Sequence, residues 1–152
     1  MIRLTKKMLF AIEAVLDVAY HAGGEPVQNR EITRRQGIPR RYLEQTLQHL
    51  VRNGILNGVR GPRGGYFLAR ERHQITVGEI VRLVAELEAS EEAPEDLPGS
   101  DLGLFVVRPL WNDLRDTIMQ HLDSITVEDL CTRAYQGGIP SEAERALAEL
   151  SS

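Results

Sequence analysis

From Met8 onward, apolar residues recur three and four positions apart. Met8, Ile12, Val15 and Ala19, with Leu9, Leu16 and Val18 beside them, predict an amphipathic helix. His21-Ala22-Gly23-Gly24 ends it, because glycines supply the left-handed conformations of a helix C-terminus. A short polar segment, Asn29 to Gln36, has Ile32 as its one large apolar residue. Gly37-Ile38-Pro39 interrupts the chain, and Pro39 is placed to open a third helix. That helix runs to about Asn53 on a stripe of Leu43, Leu47, Leu50 and Val51, and Gly54 closes it. Two short helices around a glycine turn read as a helix-turn-helix. Ile55–Arg60 and Gly65–Arg70 follow as two strands, and Gly61-Pro62-Arg63-Gly64 between them is turn chemistry. A hairpin directly after a helix-turn-helix predicts a winged helix.

The second half is helical by its start signals. Thr76-Val77-Gly78-Glu79 has the capping-box pattern, with Ile75 placed to staple onto Ile80. The pattern returns at Thr126 to Asp129, with Ile125 against Leu130, and at Ser141 to Glu144. The acidic stretch Glu88 to Asp101, broken by Pro94, Pro98 and Gly99, predicts a solvated loop. Val107, Trp111, Leu114, Ile118 and Leu122 then form an apolar stripe on a helix of about 20 residues, about 30 Å long. Beyond a domain that already has its own core helices, such an element predicts dimerisation. The expected fold is mainly α with a small β-hairpin. It divides into a winged helix-turn-helix domain at 1–75, a linker helix, acidic loop and dimerisation helix at 76–135, and a C-terminal tail at 136–152 that starts a helix at Ser141.

Composition narrows the function. The chain has 152 residues, 42% hydrophobic and 26% charged, which is ordinary for a globular protein. Its apolar runs are short, Met8 to Ile12 being broken at Glu13, so no membrane partner is expected. With no secretory pattern either, the expected location is cytoplasmic. The formal charge of −4 conceals a split: residues 1–76 carry 13 Lys and Arg against 6 acids, and residues 77–152 carry 5 against 16. A +7 half joined to a −11 half points one end toward a polyanion.

Arg40 and Arg41 occupy the first turn of the third helix, where cations oppose the helix dipole and call for an anionic partner. Duplex DNA supplies one, because a recognition helix enters the major groove with its N-terminal residues leading. Arginine there pairs with guanine edges or phosphate, and Tyr42 and Gln45 share the leading surface. Arg60 and Arg63 flank a Gly/Pro tip that can approach the minor groove, and Lys6 and Lys7 are placed for phosphate contacts. Gly61, Gly64 and Gly65 lack the lysine and following helix of a nucleotide-binding loop. No nucleophile elbow or Ser/His/Asp constellation is present, so no enzyme is expected. His21, His49, His73 and His121 are scattered, so no metal site is expected.

Four segments in this order and spacing resemble one family: Arg3-Leu4-Thr5, Arg40-Arg41-Tyr42-Leu43-Glu44-Gln45, Val59 to Tyr66, and Ile75 to Ile80. With Leu110-Trp111 and Ser124-Ile125-Thr126, they are similar to the Rrf2 family of bacterial winged-helix repressors from about Arg3 to Leu130. The resemblance implies a homodimer on a pseudo-palindromic double-stranded DNA operator, with the long helix crossing over its partner. It implies that Tyr42 to Gln45 read bases and that the wing, with Gly64 in its turn, enters the minor groove. Thr5 and Lys7 join this DNA-binding set.

Many members hold an iron–sulfur cluster on three cysteines in the loop before the long helix. The corresponding stretch, Glu88 to Phe105, has no cysteine. Phe105 stands where the last is expected, Arg108 near a member's histidine ligand, and Leu9 where some relatives use an acid. A cluster needs mostly thiolates, so no cofactor is expected. Cys131 is the one cysteine, and the acids Glu128 and Asp129 beside it do not favour a reactive thiolate. The leading expectation is a cluster-free, sequence-specific DNA-binding repressor, with any effector unidentified. The alternatives are a protein-interaction adaptor that keeps the fold, or a regulator sensing a small molecule or redox state through Cys131.

Overall fold

The computed structural model describes residues 4–91 and 99–151. Helix α1 (Lys6–His21) starts where Thr5, in extended conformation, accepts the Met8 N–H on its hydroxyl at 3.3 Å. It is the centre of the molecule. Ala11, Ala14, Val15 and Val18 are fully buried, and the small side chains let the helices at Arg40–Arg52, Val77–Glu91 and Val127–Gln136 approach it closely. Helix α2 (Asn29–Gln36) opens with a reciprocal cap between Gln28 and Glu31. It stops at Gly37, whose φ of +66° costs a glycine nothing and turns the chain into α3 (Arg40–Arg52). Leu43, Leu47 and Leu50 of α3 are buried, each stabilising the packing by about 1.5–3 kcal/mol.

The hairpin pairs β1 (Leu56–Val59) with β2 (Gly65–Leu68), Leu56 lying opposite Leu68 and Val59 opposite Gly65. Each strand is shorter than the sequence predicts: Arg60 and Ala69 lie outside the paired register, although the Ala69 N–H still donates to the Ile55 carbonyl at 2.9 Å. Val27, between α1 and α2, adds a third backbone to the sheet by exchanging hydrogen bonds with Tyr66 at 2.8 and 3.0 Å.

Helix α4 (Val77–Glu91) runs four residues into the stretch expected to be loop from Glu88. Leu87, Glu88 and Ala89 are good helix formers, and Thr5 donates its hydroxyl proton to the Glu88 carboxylate, tying that turn to the start of α1. The middle of the expected acidic loop lies outside the described residues. A helical segment resumes at position 101, passes through a π-helical turn at Gly103–Val107 and continues as α5 (Arg108–Asp123). Pro109 has no N–H to give the Phe105 carbonyl, which accounts for the widened turn just before it.

Helices α6 (Val127–Gln136) and α7 (Glu142–Leu150) start at the Thr126 and Ser141 caps that the sequence marks. The two Ile-Thr-Val starts also pair with each other. Val77 N–H donates to the Ile125 carbonyl and Val127 N–H to that of Ile75, both at 2.9 Å, so α4 and α6 begin side by side. Glu79 turns to Arg70 in an ion pair, while Thr76 accepts the Glu79 N–H at 3.1 Å.

Candidate nucleic-acid interface

The outward face of α3 presents Arg40, Arg41, Glu44, Gln45 and Gln48 to solvent, while Leu43, Thr46, Leu47 and Leu50 face the core. Thr46 is buried without cost because its hydroxyl donates to the Tyr42 carbonyl at 2.8 Å. Sequence reasoning expects Arg40 and Arg41 to need an external anion. The structure gives each a local neighbour, an acid for Arg40 and an aromatic ring for Arg41. Arg40 pairs with Glu44 one turn on at 3.0 Å, and Arg41 lies 4.7 Å over the Tyr42 ring with a 2.9 Å hydrogen bond to its hydroxyl. Exposed contacts of this kind contribute about 1 kcal/mol or less, so neither arginine is locked away from a stronger anion.

Tyr42 is held from two sides, by Arg41 and by the Phe10 ring at 6.4 Å. Its oxygen accepts from Arg41, which leaves the O–H proton to donate outward. Gln45 is exposed one turn further along. Tyr42 and Gln45 thus offer directional polar groups on a helix anchored by three leucines.

At the wing, Arg60 and Arg63 are exposed on either side of the tip. Gly64 is required there: a Cβ at that position would sit 2.2 Å from the Val59 carbonyl oxygen, and its N–H donates to Gly61 at 2.9 Å. The turn is therefore narrow, and the two guanidinium groups project beyond a backbone with little side chain in the way.

Thr5 and Lys7 lie at the start of α1. Thr5 is committed on both sides, accepting from Met8 and donating to Glu88, and Lys7 is half-buried. Both line an open cleft of about 500 Å³ with Phe10, Pro39, Tyr42 and Glu88, next to the first turn of α3. Sequence reasoning missed the contact behind α2. Arg35 donates to buried Asp17 at 2.8 and 2.9 Å, Gln36 adds a third hydrogen bond at 2.8 Å, and Glu142 of α7 reaches Arg35 at 3.2 Å. These charges fix α2, and with it α3, to α1 and to the C-terminal segment.

The expected dimerisation stripe divides. Val107 of the π-helical turn and Trp111, Leu114 and Ile118 of α5 are exposed, Trp111 and Leu114 each by 48%, and Phe105 and Leu110 are exposed as well. Leu122 instead packs partly buried against its own core, and Met119 is buried there. Cys131 is buried in α6, and burial pushes its thiol up, partly offset by Arg72 beside it and reinforced by Glu128. Among the described residues no group of three His, Cys, Asp or Glu side chains is placed to hold a metal ion. No helix of the described residues is long and apolar enough to cross a membrane.

The model of a family described as Rrf2, iron-dependent transcriptional regulator, matches residues 4–133. The chain belongs to the Rrf2 family. It is 41% identical over 130 residues to the transcriptional regulator IscR of Pectobacterium atrosepticum, covering 84% of this chain and 78% of that protein. It is 42% identical, with the same coverage, to IscR of Photorhabdus laumondii. The solved structure of T. potens IscR superposes with a TM-score of 0.71 at 32% identity, over 93% of this chain and 95% of that one. CymR, the global cysteine regulator of B. subtilis, gives 0.68 at 30% identity over 88% and 98%. The protein is therefore a winged-helix DNA-binding transcriptional regulator of this family, and not an enzyme.

The donor set does not fit an iron–sulfur cluster. One cysteine in the whole sequence cannot supply the thiolates a cluster takes, and that cysteine is buried in α6 against Arg72. Phe105 is 75% exposed and Leu9 is exposed, and neither side chain has a donor atom.

Proposed function

We propose that this protein is a cluster-free Rrf2-family repressor that binds a two-fold operator as a homodimer. The observation that carries the reading is α3, an outward row of exposed Arg40, Arg41 and Gln45 with half-buried Tyr42 among them, held rigid by buried leucines. In the bound state the first turn of α3 enters the major groove. Arg40 and Arg41 exchange their weak local partners for guanine edges or phosphate, and Tyr42 and Gln45 supply directed hydrogen bonds. The wing lays Arg60 and Arg63 along the adjacent minor groove, and Lys7 with the start of α1 steadies the backbone. Residues 1–75 thus act as the reader, 76–135 as the dimerisation unit, and 136–152 as an arm that folds back onto the reader.

The exposed apolar face of α5 supports the homodimer, because a surface of this kind is covered in most stable proteins. The lone, buried cysteine supports regulation without a cluster, with the signal carried by an effector or by the protein's own abundance. Acting on chromosomal DNA places it in the cytoplasm.

The test is binding to a fragment of the promoter of its own gene and to a random duplex of equal length, by fluorescence anisotropy across a salt series. The expected result is preference for the promoter fragment and an affinity that falls steeply with salt. The Arg40→Ala, Arg41→Ala double variant should lose most of that preference while keeping its unfolding midpoint. A slope near zero, or equal affinity for both duplexes, overturns the reading.

A further inference from the structure

The C-terminal arm closes one side of a cleft that the recognition helix and the wing do not use. Residues from the end of α1, the loop after it, α2 and the start of α7 enclose about 310 Å³, at the small end of the range for ligand-binding clefts. The arm's share of the wall, Glu142 and Ala143, lies beyond the residues 4–133 that the family model matches. An ion pair already joins two of the walls, Arg35 of α2 meeting Glu142 of α7 at 3.2 Å. Glu142 also donates its N–H to His21 Nδ1 at 3.2 Å, so the arm is held here by backbone and side chain together.

Two further wall residues have no such partner. Glu25, in the loop after α1, and Arg34 of α2 are exposed and line the same cleft, yet no ion pair joins them to each other or to another described residue. The remaining charges are committed, Arg35 to Asp17 and Glu142, and Glu31 to the Gln28 N–H at 3.2 Å. Opposite charges that share a cleft without meeting leave a place between them for a molecule that carries both. A purely anionic ligand would face the carboxylates of Glu25, Glu31 and Glu142, and a purely cationic one the guanidinium groups of Arg34 and Arg35. An α-amino acid suits both signs, its carboxylate accepting from the Arg34 fork and its ammonium donating to Glu25. We propose that this cleft binds a small α-amino acid and serves as an effector site. A ligand held between the loop, α2 and the arm ties α7 to α2, the helix that leads into α3. The site itself stands apart from the DNA-binding reading above, whereas its effector role rests on that reading.

The experiment titrates the full-length protein, free of DNA, with each standard amino acid at millimolar concentration, following the amide signals of Gly23, Gly24, Glu142 and Ala143 by NMR. The controls are the amine and the acid that lack one charge of the tightest ligand, ethylamine and propionate in the case of alanine. The expected result is saturable shifts with one or a few small amino acids and none with either control. Arg34→Gln and Glu25→Gln alter exposed positions, so the unfolding midpoint should hold. Each should raise Kd about tenfold, the worth of one charge-assisted hydrogen bond.

Silence from every amino acid overturns the site. Equal binding of the acid control makes it an anion site and equal binding of the amine control a cation site, and either result overturns the amino-acid assignment. Full affinity in both variants overturns it too, by placing the ligand elsewhere. The effector role is read by anisotropy, as the affinity for the promoter fragment with and without a saturating amount of the ligand. A severalfold change supports that role. An unchanged affinity overturns the role and leaves the site. A wild type that does not bind the promoter fragment overturns the DNA-binding reading and the effector role with it, while the NMR titration still decides the site.

Discussion

Replacing Asp17 by Ala removes the one acid among the fully buried side chains of the described core. Its carboxylate accepts three hydrogen bonds, at 2.9 and 2.8 Å from Arg35 and 2.8 Å from Gln36, and its side chain has no exposure. Arg35 is itself only 11% exposed, so the variant leaves a guanidinium without its main partner in a place water barely reaches. Breaking such a pair from one side costs about 3–5 kcal/mol. Arg35 retains Glu142 at 3.2 Å and Glu31 at 3.9 Å, which holds the expected loss near the lower bound, about 3 kcal/mol. That is about a hundredfold in the folding equilibrium, and a large share of a total stability of about 5–15 kcal/mol. Equilibrium unfolding in urea gives the difference directly. The paired Asp17→Leu, Arg35→Met variant should recover most of the loss, since both charges leave together. A loss below about 1 kcal/mol for Asp17→Ala would mean that the contact behaves as a surface pair, and the claim that it anchors α2 would fail.

Other consequences follow from the same geometry. Gly64→Ala places a methyl 2.2 Å from the Val59 carbonyl and should cost about 1–3 kcal/mol while weakening binding to the promoter fragment; unchanged midpoint and affinity would show that the wing turn is not constrained. His21 accepts the Glu142 N–H on Nδ1 at 3.2 Å, and burial, with Arg35 beside it, holds its pKa below the ordinary 6.5. With α7 released, His21 therefore binds its proton more readily than with α7 docked, so docking of α7 is complete above the ordinary histidine value and is lost as pH falls from there through the lowered one. Limited proteolysis between α6 and α7 should accelerate from about pH 7.5 to about pH 5, and a rate that stays level contradicts it. Trp111→Glu with Leu114→Glu should convert a dimer to a monomer in sedimentation velocity without loss of helix content; a wild-type chain that sediments as a monomer removes the basis of that expectation.

Local chemistry made much of the reader legible. The three-and-four spacing from Met8, the Gly37-Ile38-Pro39 turn and the Gly/Pro tip of the hairpin are each written in a few adjacent residues, and the structure places α1, α2, α3 and the wing accordingly. Thr126 and Ser141 likewise mark the starts of α6 and α7. Contacts between distant residues had no such signal. Asp17 and Arg35 look like solvated charges in sequence, and only the packing of α2 on α1 buries them. The bridge joining Ile75 to Val127 needs two capping segments to meet, and neither segment encodes the other. The C-terminal arm docks through single atoms, the Ile139 carbonyl accepting from Tyr20 and the Glu142 N–H donating to His21, so its periodicity alone could not place it. In the site, the arginines of α3 were legible by type, whereas the packing of Tyr42 against the Phe10 ring of α1 appears only in the fold.

The most direct measurement is a hydroxyl-radical footprint of the full-length protein on the promoter of its own gene. A homodimer on a two-fold operator should leave two protected segments related by a dyad, their centres about one helical turn (10–10.5 base pairs) or a multiple of it apart, on one face of the duplex. Protection should extend over the flanking phosphates and the adjacent minor groove. A single unpaired patch, or uniform reactivity at protein concentrations that saturate binding, would contradict it.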